Sequence, residues 1–143
     1  MDKIEQDGAD TSCEREFNVN SSKMRDADLL ALTRMANIGA GIGVTLLSKG
    51  TVISGVLTSG KKYYEDCEKK LDGKGPIAEA IGSYFAQAKS HYDISEENQI
   101  PLNFLHLENV VIMAGSARIP YEGAIFRIKI EEVDGFFIGN VRP

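Results

Sequence analysis

The feature that most constrains this chain is a change of apolar period at Gly39. Upstream, Leu29, Leu32, Met35 and Ala36 recur at helical spacing. Downstream, Ile42, Val44 and Leu46 alternate with Gly43 and Thr45, and Ile53, Gly55 and Leu57 alternate with Val52, Ser54 and Val56. Residues three or four apart share a helix face, whereas residues two apart share a strand face. The first pattern therefore predicts a helix. Asp26 or Asp28 is placed to cap it, and Gly39 to stop it. The second predicts a hairpin turning at Lys49-Gly50. Gly55 inside the return strand predicts a bulge or sharp bend.

A helical block then interrupts the strands at about residues 59–101. Ser59 can cap its first helix, whose apolar stripe is Tyr63, Tyr64, Cys67 and Leu71. Lys61-Glu65-Lys69 and Lys62-Asp66-Lys70 make i, i+4 ladders on a solvated face. Asp72 to Gly75 breaks the chain, and Pro76 suits a first helical position. Ile77, Ala80, Ile81, Tyr84, Phe85 and Ala88 give the cleanest amphipathic pattern here, expected to pack on a sheet. Ser90 to Pro101 reads as a polar connection.

The last third returns to period two. Leu105 and Leu107 are followed by Val111 and Met113, with Asn109 marking a bend. Residues 114–123, with Gly115, Pro120 and Gly123, read as a loop. Ala124, Phe126, Ile128 and Ile130 form one face of the next strand. Asp134-Gly135 reads as a hairpin turn leading to a return strand from Phe136 to Val141. About five strands and three helices predict an α+β fold. The strands, mostly antiparallel, form either a small curved sheet with helices on one face or a partly open SH3/Sm-like barrel. In both forms the helical insertion lies between the first hairpin and the C-terminal strands. Gly43, Gly55 and Gly139 give the sheet places to bend, which favours the curved sheet.

Composition narrows the class. A length of 143 residues points to one domain with a core large enough to need no disulfide or metal. Residues 1–25 hold six acids, four bases and few large apolar side chains. They read as a mobile polar leader, which leaves 26–143 as a single α+β domain. A formal charge of −5 argues against nucleic-acid binding and against adhesion to anionic membranes. The N-terminus lacks the apolar stretch of a signal peptide, and no apolar run is long enough to span a bilayer. Cys13 and Cys67 make no disulfide framework. These features read as cytoplasmic.

No motif carries chemistry. The glycines between Asn37 and Gly43 lack the third glycine of a dinucleotide loop, and they follow a helix where that loop follows a strand. His91 and His106 have no second ligand at metal spacing. Ser116 is not in a Gly-x-Ser-x-Gly turn. Glu131, Glu132 and Asp134 sit outside any calcium loop. An enzyme reading could draw only on His106, Glu108 and Tyr121, which no spacing unites. No catalytic, cofactor-binding or metal residue is therefore assigned. Phe136-Phe137 is more informative. Adjacent strand residues face opposite ways, so one ring enters the core and the other points out, suited to contact with another chain.

Several strings also resemble a known family. They are Val52-Ile53-Ser54-Gly55 with Ser59 and Tyr63, then His106-Leu107, then Arg127, Lys129, Ile130 and Glu132-Val133-Asp134-Gly135-Phe136-Phe137-Ile138-Gly139. Together they resemble the gas vesicle accessory family GvpU, from about Asp26 to the C-terminus. The chain departs from that pattern at Phe126 and Ile128, where the family has Trp and Gly. The resemblance implies a non-enzymatic role in gas vesicle formation or clustering. Its partners would be shell proteins, other accessory proteins or further copies of itself. It singles out Arg127, Asp134, Gly135, Phe136 and Phe137 as candidate interaction residues. The competing reading is an Sm-like module binding a small molecule or RNA, suggested by the Gly-bent hairpin.

Overall fold

The computed structural model describes residues 24–95 and 99–141, so the expected leader lies, apart from its last two residues, outside the described ones. Helix α1 spans Ala27–Asn37. Its cap is Asp26, whose carboxylate accepts the N–H groups of Asp28 and Leu29 at 2.8 and 3.2 Å. The helix stops before Gly39, which sits at φ 111°. Strands β1 (Ile42–Ser48) and β2 (Thr51–Thr58) form the expected hairpin. Lys49 and Gly50 both take positive φ, as a type I′ turn requires.

Ser59 caps helix α2 (Gly60–Leu71) by accepting the Lys62 N–H at 3.1 Å. Helix α3 (Pro76–Lys89) begins at Pro76. Its last turn runs into a short 3₁₀ turn, Ser90–Tyr92, which buries Tyr92. The expected polar connection thus contains a core aromatic. Strand β3 (Phe104–Ala114) is long, and two strands share its outer side. Strand β4 (Ala117–Tyr121) pairs with its C-terminal half, and β5 (Phe126–Lys129) with its N-terminal half. Strand β6 (Gly135–Ile138) pairs with β1 at the opposite edge. The sheet has six antiparallel strands in the order β4-β3-β2-β1-β6, with β5 beside β3. It stays open, which settles the choice between curved sheet and barrel.

Three expectations need correcting. The loop at 114–123 contains β4: Gly115 takes φ 59° at the first turn position, and Pro120 is tolerated because β4 is an edge strand. Asp134-Gly135 is not a hairpin turn. Strands β5 and β6 pair with different neighbours, and Gly135 is not among the positive-φ glycines. The helices also do not share one face of the sheet.

Leu105 and Leu107 join Leu29 and Ala36 of α1 in the main core. His106, between them, points to the other face and meets Tyr63 of α2. So α1 covers one face and α2 part of the other. A bulge lies where Gly55 was expected to bend the sheet, but its extra residue belongs to β3, whose Asn109 and Val110 face Gly55. Register shifts between Ser54 and Val56, opposite Asn109 at φ 54°, and a Cβ on Gly55 would lie 3.0 Å from the Glu108 carbonyl oxygen. Val110 is thereby turned into the core while Glu108 stays on the α2 side.

Candidate interaction surface

The five residues singled out in the sequence fall into two places. Arg127 lies on β5 and Asp134 to Phe137 lie at or on β6. Four inter-strand steps separate these strands, or about 19 Å at ~4.8 Å per step.

Arg127 points under α2. Its guanidinium lies 3.8 Å from the ring centroid of Phe104 and about equally far from the rings of Tyr63 and Tyr64, at 5.5 and 5.4 Å. Its Nη1 donates to the Tyr64 hydroxyl. Beside it, His106 is 1% exposed, stacked on Tyr63 at 4.8 Å and met edge-on by Tyr92 at 5.9 Å. Burial, helped by the nearby Arg127 charge, pushes the imidazole pKa down to about 3. His106 is therefore neutral at physiological pH, and among the described residues its Nε2 has no hydrogen-bond partner. Burial likewise raises the Tyr63 and Tyr92 phenols and the Cys67 thiol. A thiol shifted that way is a poor nucleophile.

This cluster does not assemble an acid–base set. Glu108 is committed to Lys62 at 2.6 Å. Tyr121 pairs across from Val110 and so lies on the core side of the sheet, away from His106. Among the described residues no group of three or more His, Cys, Asp or Glu could hold a metal ion. What the cluster does is fasten α2 to the sheet through stacked rings and a guanidinium.

The β6 region is built differently. The Asp134 N–H donates to the Leu47 carbonyl at 2.8 Å, and its carboxylate accepts the Lys49 N–H at 2.8 Å. Glu132 supplies its carbonyl to the Ser48 hydroxyl and its carboxylate to Lys49. These bonds clasp the β1–β2 turn and start β6 in register. At the far end the Gly139 N–H reaches the Gly43 carbonyl at 2.7 Å. The chain then crosses the sheet: Thr45 donates to the Gly139 carbonyl, and the Val141 N–H donates to the Ser54 hydroxyl.

Between those two anchors Phe136 and Phe137 take opposite faces. Phe136 stands across from Leu46 and packs on the core. Phe137 stands across from Thr45 and is 62% exposed. Ile138 is 63% exposed, and Leu47 on β1 is also exposed. Thr45, Leu47, Val52, Gly135 and the two rings line an almost wholly apolar hollow of about 310 Å³. The outer edge of β6 pairs with no described strand. Such an edge, with aromatic and aliphatic side chains beside it, is a template for another chain.

The sequence model for the family described as "Gas vesicle protein GvpU-like" matches residues 26–141. The chain belongs to the GvpU-like family. It is thus a gas vesicle-related protein. The match opens at the Asp26 cap of α1 and closes where the tail reaches Ser54, so it takes in both the Arg127 cluster and the β6 ledge. No curated protein and no solved structure matches the chain. Among the described residues, no helix of this GvpU-like chain is long and apolar enough to cross a membrane.

The helix expected to pack on a sheet packs on another helix instead. Helix α3 buries none of its residues, and its partner is α2. The small residues Ala78, Gly82 and Ala86 face α2, while Ile77, Ile81 and Tyr84 face out. The amphipathic pattern is legible in the sequence, but the face with Ile77, Ile81 and Tyr84 points outward and not onto the sheet.

Proposed function

We propose that this GvpU-like protein is a non-enzymatic accessory factor that acts in the cytoplasm, in gas vesicle formation or clustering, by gripping other proteins. The partners are gas vesicle shell proteins or other accessory proteins, and further copies of the chain add to the assembly. On this reading residues 26–143 are the working domain, and the ledge of β6 is its grip.

The observation that supports this reading best is the outward ring of Phe137, beside Leu47, on a strand edge that pairs with no described strand. A shell built from small apolar proteins offers strand edges and aliphatic surface, and a ledge of this composition can accept either. Asp134, Gly135 and Phe136 set the ledge in place, and Phe137 touches the partner. Arg127 contributes from a distance by holding α2 on the sheet.

The test is vesicle arrangement in cells. A strain lacking this protein, complemented with wild type or with Phe137→Ser, is imaged for vesicle number and clustering. Wild type restores the arrangement and the variant fails to. Normal vesicles in the deletion strain, with no capture of shell proteins by the purified chain, would remove the proposal.

A further inference from the structure

Gly139, Asn140 and Val141 leave β6 and cross the β1–β2 hairpin as a strap. Gly139 makes the corner, at φ 115°, a conformation that side chains with a Cβ rarely adopt. Its N–H donates to the Gly43 carbonyl at 2.7 Å, and its carbonyl accepts the Thr45 hydroxyl at 2.8 Å. The Val141 N–H donates to the Ser54 hydroxyl at 2.6 Å. Thr45 and Ser54 stand opposite each other across the hairpin, their hydroxyls 3.2 Å apart. The Asn140 side chain lies over Gly43 and leaves no room there for a Cβ.

The strap borders the β6 ledge. Thr45 lines the apolar hollow and also holds the Gly139 carbonyl. Strand residues two apart, and residues paired across strands, share a face. Leu47 and Phe137 therefore lie on the same side as Thr45, and Val52, Val56 and Val111 on the same side as Ser54. The apolar ground that begins in the hollow at Leu47, Val52 and Phe137 continues on this face to Val111. Between them sit the two hydroxyl residues, Thr45 at 3% and Ser54 at 0% exposure, with the strap bonded to both.

The strap is held unlike the strand it extends. Phe136 fixes β6 through the core, but none of Gly139, Asn140 and Val141 is buried. Their anchors are hydrogen bonds to hydroxyls and a main-chain carbonyl. Water replaces such partners at small net cost, and no donor or acceptor is stranded when the strap lifts. Two hydroxyls in the middle of an apolar face are a seat for main-chain groups, not for packing. We propose that Gly139–Val141 is a detachable strap that limits access to the apolar hollow. Closed, it fences the hollow at Thr45. Lifted, it opens the face past Ser54 to Val111, with β6 still paired to β1. That makes it an autoinhibitory contact on the grip, a step that rests on the proposed function; control of access to the hollow does not.

The experiment joins amide hydrogen exchange to titration with the apolar dye 8-anilinonaphthalene-1-sulfonate, both on the full chain. Ser54→Ala removes the anchor of Val141. Gly43→Val drives a branched side chain into the space of Asn140. Neither residue lines the hollow. In each variant the Val141 amide exchanges about five- to tenfold faster, the loss expected for one hydrogen bond, while the Leu46 and Leu107 amides keep wild-type rates. Each variant also binds the dye severalfold more tightly than wild type, and adding Phe137→Ser removes that gain. Wild-type exchange at Val141 in both variants would overturn the inference. So would a freed strap with no gain in dye binding, or a gain that survives Phe137→Ser. Vesicle binding by the same proteins judges the grip separately: a dye gain with no vesicle binding by any form keeps the strap and removes the proposed function.

Discussion

Arg127 rests its guanidinium 3.8 Å from the ring centroid of Phe104 and hands one N–H to Tyr64, so a single side chain ties β5, β3 and α2 together. The planar guanidinium can stack and donate at once, which an ammonium cannot. Arg127→Lys is therefore expected to lose about 1–2 kcal/mol, despite keeping the charge. Urea denaturation of the two proteins measures this. Equal midpoints would mean that the stack adds nothing.

His106 gives the fold a defined response to acid. Its pKa is about 3 when folded and 6.5 when exposed, so between those values the unfolded chain binds the extra proton. Stability is then fully present above pH ~6.5 and falls as pH drops towards 3, by up to about 1.4 kcal/mol per unit. Chemical denaturation at pH 7, 6 and 5 should show this slope in the wild type. His106→Leu, which removes the titrating group, should flatten it. An unchanged slope in the variant would assign the acid sensitivity to other groups.

Two glycines predict opposite signs. A Cβ on Gly60 would come within 2.2 Å of the Tyr92 ring, inside a packed corner where the Gly60 N–H also binds Asn37 at 3.0 Å. Gly60→Ala should cost about 1–3 kcal/mol. Gly82 lies within α3, and its Cβ would meet nothing closer than 4.0 Å. Gly82→Ala should add about 0.5–1 kcal/mol by helix propensity. Thermal melts of both variants check the pair.

How much of this was legible in the sequence follows from where the forces act. The α1 cap, the Lys49-Gly50 turn and the Ser59 cap all depend on residues close in the chain, and each matched its local signal. Strand β4 was missed because Pro120 looked like a loop residue. Gly115-Ser116 between two paired alanines was the signal that could have found it. Asp134-Gly135 misled because its carboxylate is spent on the Lys49 N–H, a contact 85 residues away that no local pattern encodes. The ladders on α2 were likewise drawn off by distant partners. Lys62 reaches Glu108 and Lys61 reaches Asp93, while the Lys70–Asp66 pair remains, at 2.9 Å. The Arg127 cluster was beyond sequence reading for the same reason: its rings come from three separate elements.

Phe136 and Phe137 separate stability from grip. Phe136→Ala removes a ring packed on the core and should cost about 2–4 kcal/mol. Phe137→Ser removes a ring from solvent and should change stability by no more than about 0.5 kcal/mol. Equilibrium unfolding of the two variants shows whether the division holds.

Gas vesicles float, so flotation of purified vesicles mixed with purified protein reads the grip directly. A grip at Phe137 predicts that wild type rises with the vesicles and that Phe137→Ser, equally stable, stays in the lower layer. Equal recovery of both proteins in the floating layer would contradict it.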